Sequence, residues 1–269
     1  MTSSQRPGCP ENREADRINR QKWDEPGFHR HIAALARVAS GEQVLDLGCG
    51  RGGTLQALLE GVGAGGRVFA LDRMATLLAA AAAGFTAAVR AGELIVVHGD
   101  VLKPPFADAT FDIVVCQNVI ECVSDRKGLV AQARRLLKPG GRFVLGHHDF
   151  AGIMIAGDDP GLTDRLVLGY ADFTQDWQDA SEGRMGRLIP GLIADAGFMS
   201  VEIETAMFVD LDLEKTSYAR GYVDSLVELA PRLGVSSEDA KRWRAKREAD
   251  VAGGRFYFGL PWIAAICTR

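Results

Sequence analysis

Apolar positions change their period repeatedly between residues 28 and 149. "GFHRHIAALARVA" repeats at helical spacing, with Phe28, Ile32, Leu35 and Val38 on one face and Gly41 as its stop. "QVLDLGC", "GRVFALDR", "ELIVVHGDV", "FDIVVCQNV" and "RFVLGHHDF" are short, nearly continuous apolar runs. Helical segments lie between them. "TLQALLEGV" closes at Gly61-Val62-Gly63, the alanine-rich "MATLLAAAAAGFTAAVRAG" reads as one helix, and "DRKGLVAQARRLL" is stopped by Lys138-Pro139-Gly140-Gly141. Strands that are apolar throughout and alternate with helices predict a parallel sheet covered on both faces. Ligands of such sheets bind at the carboxyl ends of the strands.

The rhythm breaks after residue 150. The stretch 150-187 is too long for a tight connection, and Asp159-Pro160 predicts a helix start inside it. A core helix follows at "RLIPGLIADAGF" and a strand at "SVEIETAMFVDL". Two helices come next, the second opened by Ser236 and Asp239 in a capping pattern, and "FYFGLPWIAAICTR" is the last strand. The expected fold is α/β: a doubly wound Rossmann-like sheet of about seven strands, the last antiparallel, with helical cap insertions after strands five and six. Its parts are a lead-in that can act as a lid (1-27), the core (28-149), a cap insertion (150-187), a core helix and strand (188-211), a second cap insertion (212-253) and the final strand (254-269). The caps are expected to close over the site.

Composition narrows the partners. The chain has 269 residues, 47% of them hydrophobic, and a formal net charge of -4, so no overall field attracts nucleic acid. No apolar run is long enough to span a membrane, and the polar N-terminus lacks the apolar core of a secretory signal. Cys9, Cys49, Cys116, Cys122 and Cys267 are scattered and form no C-x-x-C pair, which points to free thiols in a reducing cytoplasm. The basic run from Lys241 to Arg247 sits in a helix that opens with Glu238 and Asp239. It reads as a solvated face with Trp243 packed beneath, not as an RNA-binding surface.

The chemistry starts at Gly48-Cys49-Gly50-Arg51-Gly52-Gly53, which matches G-x-G-x-x-G. The glycines alone do not say what is bound. Asp46, two residues earlier in the strand, opposes a pyrophosphate and suits a ligand that carries positive charge. From Val44 to Gly52 the chain resembles the first motif of the class I SAM-dependent methyltransferases, where SAM is S-adenosyl-L-methionine. Four later stretches resemble further motifs in order: Val68–Arg73, His98–Val101, Phe111–Asn118 and Leu137–Phe143. The similarity is to the small-molecule type, such as the ubiquinone and menaquinone enzymes. It implies a SAM site formed by Asp46, Gly48, Cys49, Gly50, Asp72, Arg73, Asp100, Val101, Gln117 and Asn118. In that family the acid at the Asp72 position binds both ribose hydroxyls, the one at Asp100 faces the adenine amino group, and Gln117-Asn118 lies beside the methionine part. The product would be S-adenosyl-L-homocysteine. An NAD(P)-dependent oxidoreductase and a non-catalytic SAM-binding regulator are the competing readings.

His147, His148 and Asp149 end the fifth strand at the expected transfer point. Strand alternation turns the two imidazoles opposite ways, so one of them is the candidate catalytic base. Adjacent histidines diverge and no third ligand is placed beside them, so no metal site is expected. Trp23, Asp149, Tyr170 and Trp177 are the candidate substrate contacts. The apolar and aromatic residues of the caps imply a small organic acceptor with apolar or aromatic surface, methylated on O, N or C in biosynthesis or natural-product tailoring. The sequence leaves a homodimer open.

Overall fold

The computed structural model describes residues 26–175, 178–179, 183–215 and 217–269. Helix α1 (Pro26–Leu35) precedes β1 (Gln43–Leu47), and α2 (Leu55–Val62) leads to β2 (Arg67–Asp72). Helices α3 (Ala75–Gly84) and α4 (Thr86–Ala91) precede β3 (Leu94–His98) and β4 (Phe111–Gln117). Helix α5 (Arg126–Leu136) is followed by β5 (Leu137–His148) and the two-residue β6 (Met154–Ile155). The chain ends with α6 (Pro160–Asp172), α7 (Met185–Asp195), β7 (Met199–Asp210), α8 (Tyr218–Leu229), α9 (Ser237–Ala252) and β8 (Phe258–Thr268).

Strands β3-β2-β1-β4-β5 are parallel neighbours in that order. The reversed β8 lies beside β5, and β7 pairs with the far side of β8 as the edge. This is the doubly wound sheet expected, with one strand more. The eighth is β6, which continues the line of β5 and pairs Met154 and Ile155 with Gly259 and Phe258. Side chains alternate along the strands, so each face has its own core. Leu45, Val114, Phe143 and Ala265 pack with Ile189 and Ile193 of α7 on one face. Val44, Val68, Val115 and Trp262 pack with Ile32, Leu58 and Leu78 on the other.

Two local expectations change. The alanine-rich segment is two helices, because Phe85 leaves helical geometry at φ -120°, ψ 34° and becomes the cap of both. The segment after α5 is already strand: Leu137 pairs with Phe111, and Lys138 donates to both carboxylate oxygens of Asp112.

The two insertions form one apolar body. Phe150, Leu166 and Tyr170 pack against Tyr218, Tyr222, Leu226 and Trp243, and Phe258 and Leu260 of β8 belong to the same cluster. Helix starts follow the sequence signals. Asp159 accepts from Leu162 N–H at 3.1 Å ahead of Pro160, and Ser236 accepts from Asp239 N–H at 3.0 Å. Trp243 is buried as expected, and its indole N–H donates to Thr163 Oγ1 at 2.9 Å. The basic run is not uniformly solvated, however. Arg247 is fully buried over Trp243 and pairs with Asp158 and Asp250. Arg242, Arg244 and Lys246 also meet acidic partners, which neutralises the charge that a nucleic acid would use. No described helix is long and apolar enough to cross a membrane.

One glycine matters for this arrangement. A β-carbon at Gly146 would run into the Gln117 amide oxygen and the Trp262 ring, where β4, β5 and β8 converge below the site. Gly146→Ala is expected to lower stability by about 1–3 kcal/mol through overpacking. Urea denaturation of ligand-free protein checks this.

Candidate active site

The glycine loop between β1 and α2 is held from beneath by its neighbours. Gly48 and Cys49 N–H both donate to the Leu71 carbonyl, at 2.8 and 3.0 Å, and Gly52 N–H donates to Cys49 O at 2.9 Å. Gly50 N–H donates to Asp72 Oδ2 at 2.7 Å, and the other oxygen of Asp72 accepts Met74 N–H at 2.8 Å. Gly48 sits at φ 90°, and a β-carbon there would strike Val119. Only glycine allows this turn and the close approach of the loop to β4.

Asp46 lies beneath the loop, 3% exposed. Burial, and then the charge of Asp72, pushes its pKa up from 3.8 to about 7. Burial, followed by the charge of Asp46, also drives the Cys49 and Cys116 thiols far above their ordinary value, so neither supplies a thiolate nucleophile.

These facts bear on which ligand the loop would fit. A pyrophosphate at a helix N-terminus needs free backbone N–H groups and a favourable field. Here the N–H groups of Gly48, Cys49, Gly50 and Gly52 are already used, and two carboxylates face the loop. A cationic nucleoside fits better. Each oxygen of Asp72 has accepted one N–H bond and keeps capacity for ribose hydroxyls. Asp46 would lose its proton gladly beside a cation.

The remaining residues implied by the family resemblance converge at the same strand ends. Val101 is buried, and exposed Asp100 accepts Leu102 N–H at 2.8 Å. Arg73 turns away from the loop to meet Asp179 and the Cys122 carbonyl. Among the described residues the side-chain amide of Gln117 is buried with no hydrogen-bond partner. Asn118 takes a left-handed conformation at φ 54°. Its Oδ1 accepts His148 N–H at 3.0 Å and lies 2.9 Å from His148 Nδ1.

Both histidines are buried, and they diverge as the strand requires. His148 stacks on Phe150 and also faces Phe28, Phe208 and Tyr218. His147 places Nδ1 2.7 Å from the His148 carbonyl, which can only accept, so that nitrogen carries a proton. Its Nε2 lies 3.7 Å from Glu121 Oε1, and both side chains are almost inaccessible. In the neutral ring the Nδ1 proton leaves Nε2 as the accepting nitrogen, and it faces the Glu121 carboxylate.

Asp149, expected to contact substrate, is committed elsewhere. It is 2% exposed, its oxygens take the Arg187 guanidinium at 2.5 and 2.8 Å, and Arg187 N–H adds a 3.1 Å bond. This pins the start of α7 to the end of β5 and holds the Arg187 guanidinium more firmly protonated than usual. Tyr170 lies in the cap cluster, edge-on to Phe150 and Tyr222. Trp23 and Trp177 lie outside the described residues. Sequence reasoning did not bring Glu121, Tyr222 or Phe28 to this place, where they lie against His147, Phe150 and His148 respectively. Glu121 could have been found as the first acid beyond the Gln117-Asn118 strand end.

Part of the chain is similar to known proteins. Residues 45–145 match a family described as a methyltransferase domain. Demethylmenaquinone methyltransferase of Staphylococcus epidermidis is 32% identical over 117 residues, 44% of this chain and 47% of that protein. Nocamycin O-methyltransferase of Saccharothrix syringae is 36% identical over 117 residues, 43% of this chain and 41% of that protein. The chain thus spans about half the length of the curated relatives it matches. A geranyl diphosphate methyltransferase solved in complex with SAM superposes with a TM-score of 0.54 at 16% identity, covering 98% of this chain and 92% of that one. That likeness concerns the fold.

Asp46 makes stability depend on pH in a defined direction. Its folded pKa, about 7, lies above the ordinary 3.8, so between these values the folded chain holds a proton that the unfolded chain has released. The stability this contributes is complete below the lower value and is lost as pH rises through the upper one. Asp46→Asn should therefore stabilise ligand-free protein by on the order of 3 kcal/mol above the upper value and by little near the lower one. Chemical denaturation of both proteins across that window measures the difference.

Proposed function

From a core whose residues 45–145 match a methyltransferase domain, we propose that this chain is a class I SAM-dependent methyltransferase that moves a methyl group from SAM to an O, N or C atom of a small organic acceptor, in biosynthesis or natural-product tailoring. One observation carries the reading: Asp46 and Asp72 meet at a glycine loop whose N–H groups are already hydrogen-bonded within the protein. That loop suits a cationic nucleoside and not a pyrophosphate.

Asp72 would hold the ribose hydroxyls, Asp46 would face the cationic amino-acid part, and Asp100 and Val101 would flank the base. Gln117 and Asn118 would border the methionine end, where the unpartnered Gln117 amide has hydrogen bonds to offer. SAM supplies a methyl group already activated by its sulfonium. The protein must align the acceptor, exclude water and take its proton. His147 is the histidine placed for the last task. A proton arriving at Nε2 makes an imidazolium that Glu121 stabilises at 3.7 Å, while the bond from Nδ1–H to the His148 carbonyl holds the ring. His148, bound to Asn118 and stacked on Phe150, would form the wall of the acceptor site. Phe150, Tyr170 and Tyr222 favour an acceptor with apolar or aromatic surface. Among the described residues Cys49, Cys116 and Cys267 are free thiols, which supports a reducing, cytoplasmic setting.

S-adenosylhomocysteine is expected to bind and NAD to give no heat in calorimetric titration. Asp72→Ala should weaken that binding by ~2–4 kcal/mol, the scale of charge-assisted hydrogen bonds. Binding of NAD alone, or an Asp72→Ala protein with unchanged affinity, would overturn the reading.

Glu121→Gln keeps shape and removes the charge beside His147. It should lower kcat about 100-fold for a hydroxyl acceptor, with S-adenosylhomocysteine affinity unchanged. Steady-state kinetics and titration of the same preparation check this. Equal losses in both would make Glu121 a cofactor or structural residue.

A further inference from the structure

The edge strand β7 presents an apolar face that nothing described covers. Its side chains alternate. Glu202 pairs with Arg37, Glu204 approaches His31 at 3.6 Å and Phe208 packs on Phe28, so these positions face α1. The opposite positions are Ile203, Thr205, Met207 and Val209, flanked by Val201 and Leu211. Of these, Ile203 is 46%, Met207 45%, Val209 50% and Leu211 65% exposed. This face continues the one that α7 covers over Phe143, Ala265 and Cys267, but α7 does not extend over β7. Among the described residues β7 pairs with β8 alone, so the outward N–H and C=O groups of its regular ladder, Glu202 to Asp210, have no strand partner. Neither lysine nor proline, the usual protection of such an edge, occurs in it.

We propose that β7 is the contact surface for a second copy of this chain, paired antiparallel across a two-fold axis at Thr205 so that two sheets become one. The acids on the α1 side select the register. In a two-fold antiparallel pair, residues opposite one another share a face. With the axis at Thr205, Ile203 meets Met207, while Glu204 faces Ala206 and Glu202 faces Phe208. No acid opposes an acid. An axis at Ile203 would set Glu202 against Glu204, and one at Glu204 would set that residue against itself. An axis at Ala206 would set Glu202 against Asp210, and one at Met207 would set Glu204 against Asp210. Like charges directly opposite destabilise a ladder, so the strand fits itself in one central register. The contact is isologous and closes as a dimer. A partner of different sequence would find no charge on the open face to recognise, whereas a second copy matches both its apolar stripe and its hydrogen-bonding edge.

The test uses the full-length chain. Sedimentation velocity is expected to show a dimer at micromolar concentration. Ile203→Lys and Met207→Lys, exposed positions remote from the glycine loop, should each raise the dimer dissociation constant by about 100-fold or more, because two ammonium groups would be buried per dimer. Unchanged S-adenosylhomocysteine binding, or an unchanged far-ultraviolet spectrum, shows that each variant is folded. If one misfolds, the other is decisive. Thr205→Cys should cross-link to itself under mild oxidation above the wild-type background, and Val209→Cys should not. A monomeric wild type, a dimer surviving both lysine variants, or self-linking at Val209→Cys without Thr205→Cys would each overturn the proposal. A monomer whose stripe is protected in hydrogen exchange would show that another part of the chain covers it.

Discussion

Two carboxylates must share one glycine loop. Asp46 and Asp72 come from adjacent parallel strands, and the loop passes between their ends. Asp72 spends its charge on Gly50 and Met74 N–H groups, and those bonds set the loop. Asp46 has no such freedom beneath it, so burial and the neighbouring charge raise its affinity for a proton. The ligand-free site therefore holds a carboxylate that is expensive to ionise until a cation arrives. This is strain of the electrostatic kind: it lowers the stability of the empty protein near and above neutrality, and under the proposed function it would favour a ligand that brings positive charge. The glycine pattern is shared with phosphate-binding loops. The carboxylates reverse its meaning.

The reversed strand β8 links that site to the cap. It pairs with β5 from Arg142 to His148 and continues beyond it to meet β6. Trp262 supports the sheet under Gly146, while Leu260 and Phe258 belong to the cap cluster. Asp149 N–H donates to Pro261 O at 2.9 Å, and its carboxylate holds Arg187. The end of β5, with both histidines, is thereby tied to the core helix α7 and to the cap. Insertions that read as separate segments in the chain act on the site as one body, because the last strand passes through both cores.

The sheet was legible because burial on both faces leaves unbroken apolar runs, and the glycine turn because its φ values admit little else. Asp46 and Asp72 were legible for a related reason: an acid inside or at the end of an apolar strand demands an explanation. The helix break at Phe85 was not, since alanine carries no pattern by which a bend can be seen. Asp149 was misjudged because sequence places it beside two histidines but cannot show Arg187, 38 residues later, arriving to claim both its oxygens. Arg247 was misjudged similarly. A basic run looks solvated unless the distant Asp158 is known to lie against it. In each case a long-range ion pair overruled the local signal.

The proton-handling end of the site follows the same electrostatic logic as the cofactor end. His147, Glu121 and Tyr222 are all buried. Burial first, and then the nearby Tyr170, Tyr218 and Glu121, keep the Tyr222 phenol protonated well beyond its ordinary range, so it acts as a neutral hydroxyl. Beside it the His147 imidazole and the Glu121 carboxylate face each other at 3.7 Å, and under the proposed function they would handle a proton as a pair. Such a pair suits a reaction that releases one proton per turnover. It accepts that proton without leaving an isolated charge, and the same exclusion of water that strengthens the pair also leaves an acceptor nucleophile unsolvated. The two ends therefore impose one requirement. Asp46 favours a ligand that brings positive charge, and His147 with Glu121 favours an acceptor that gives up a proton. Methyl transfer from a sulfonium to a protic acceptor meets both, and it does so without the pyrophosphate that a nicotinamide dinucleotide would bring to a loop whose N–H groups are already bonded.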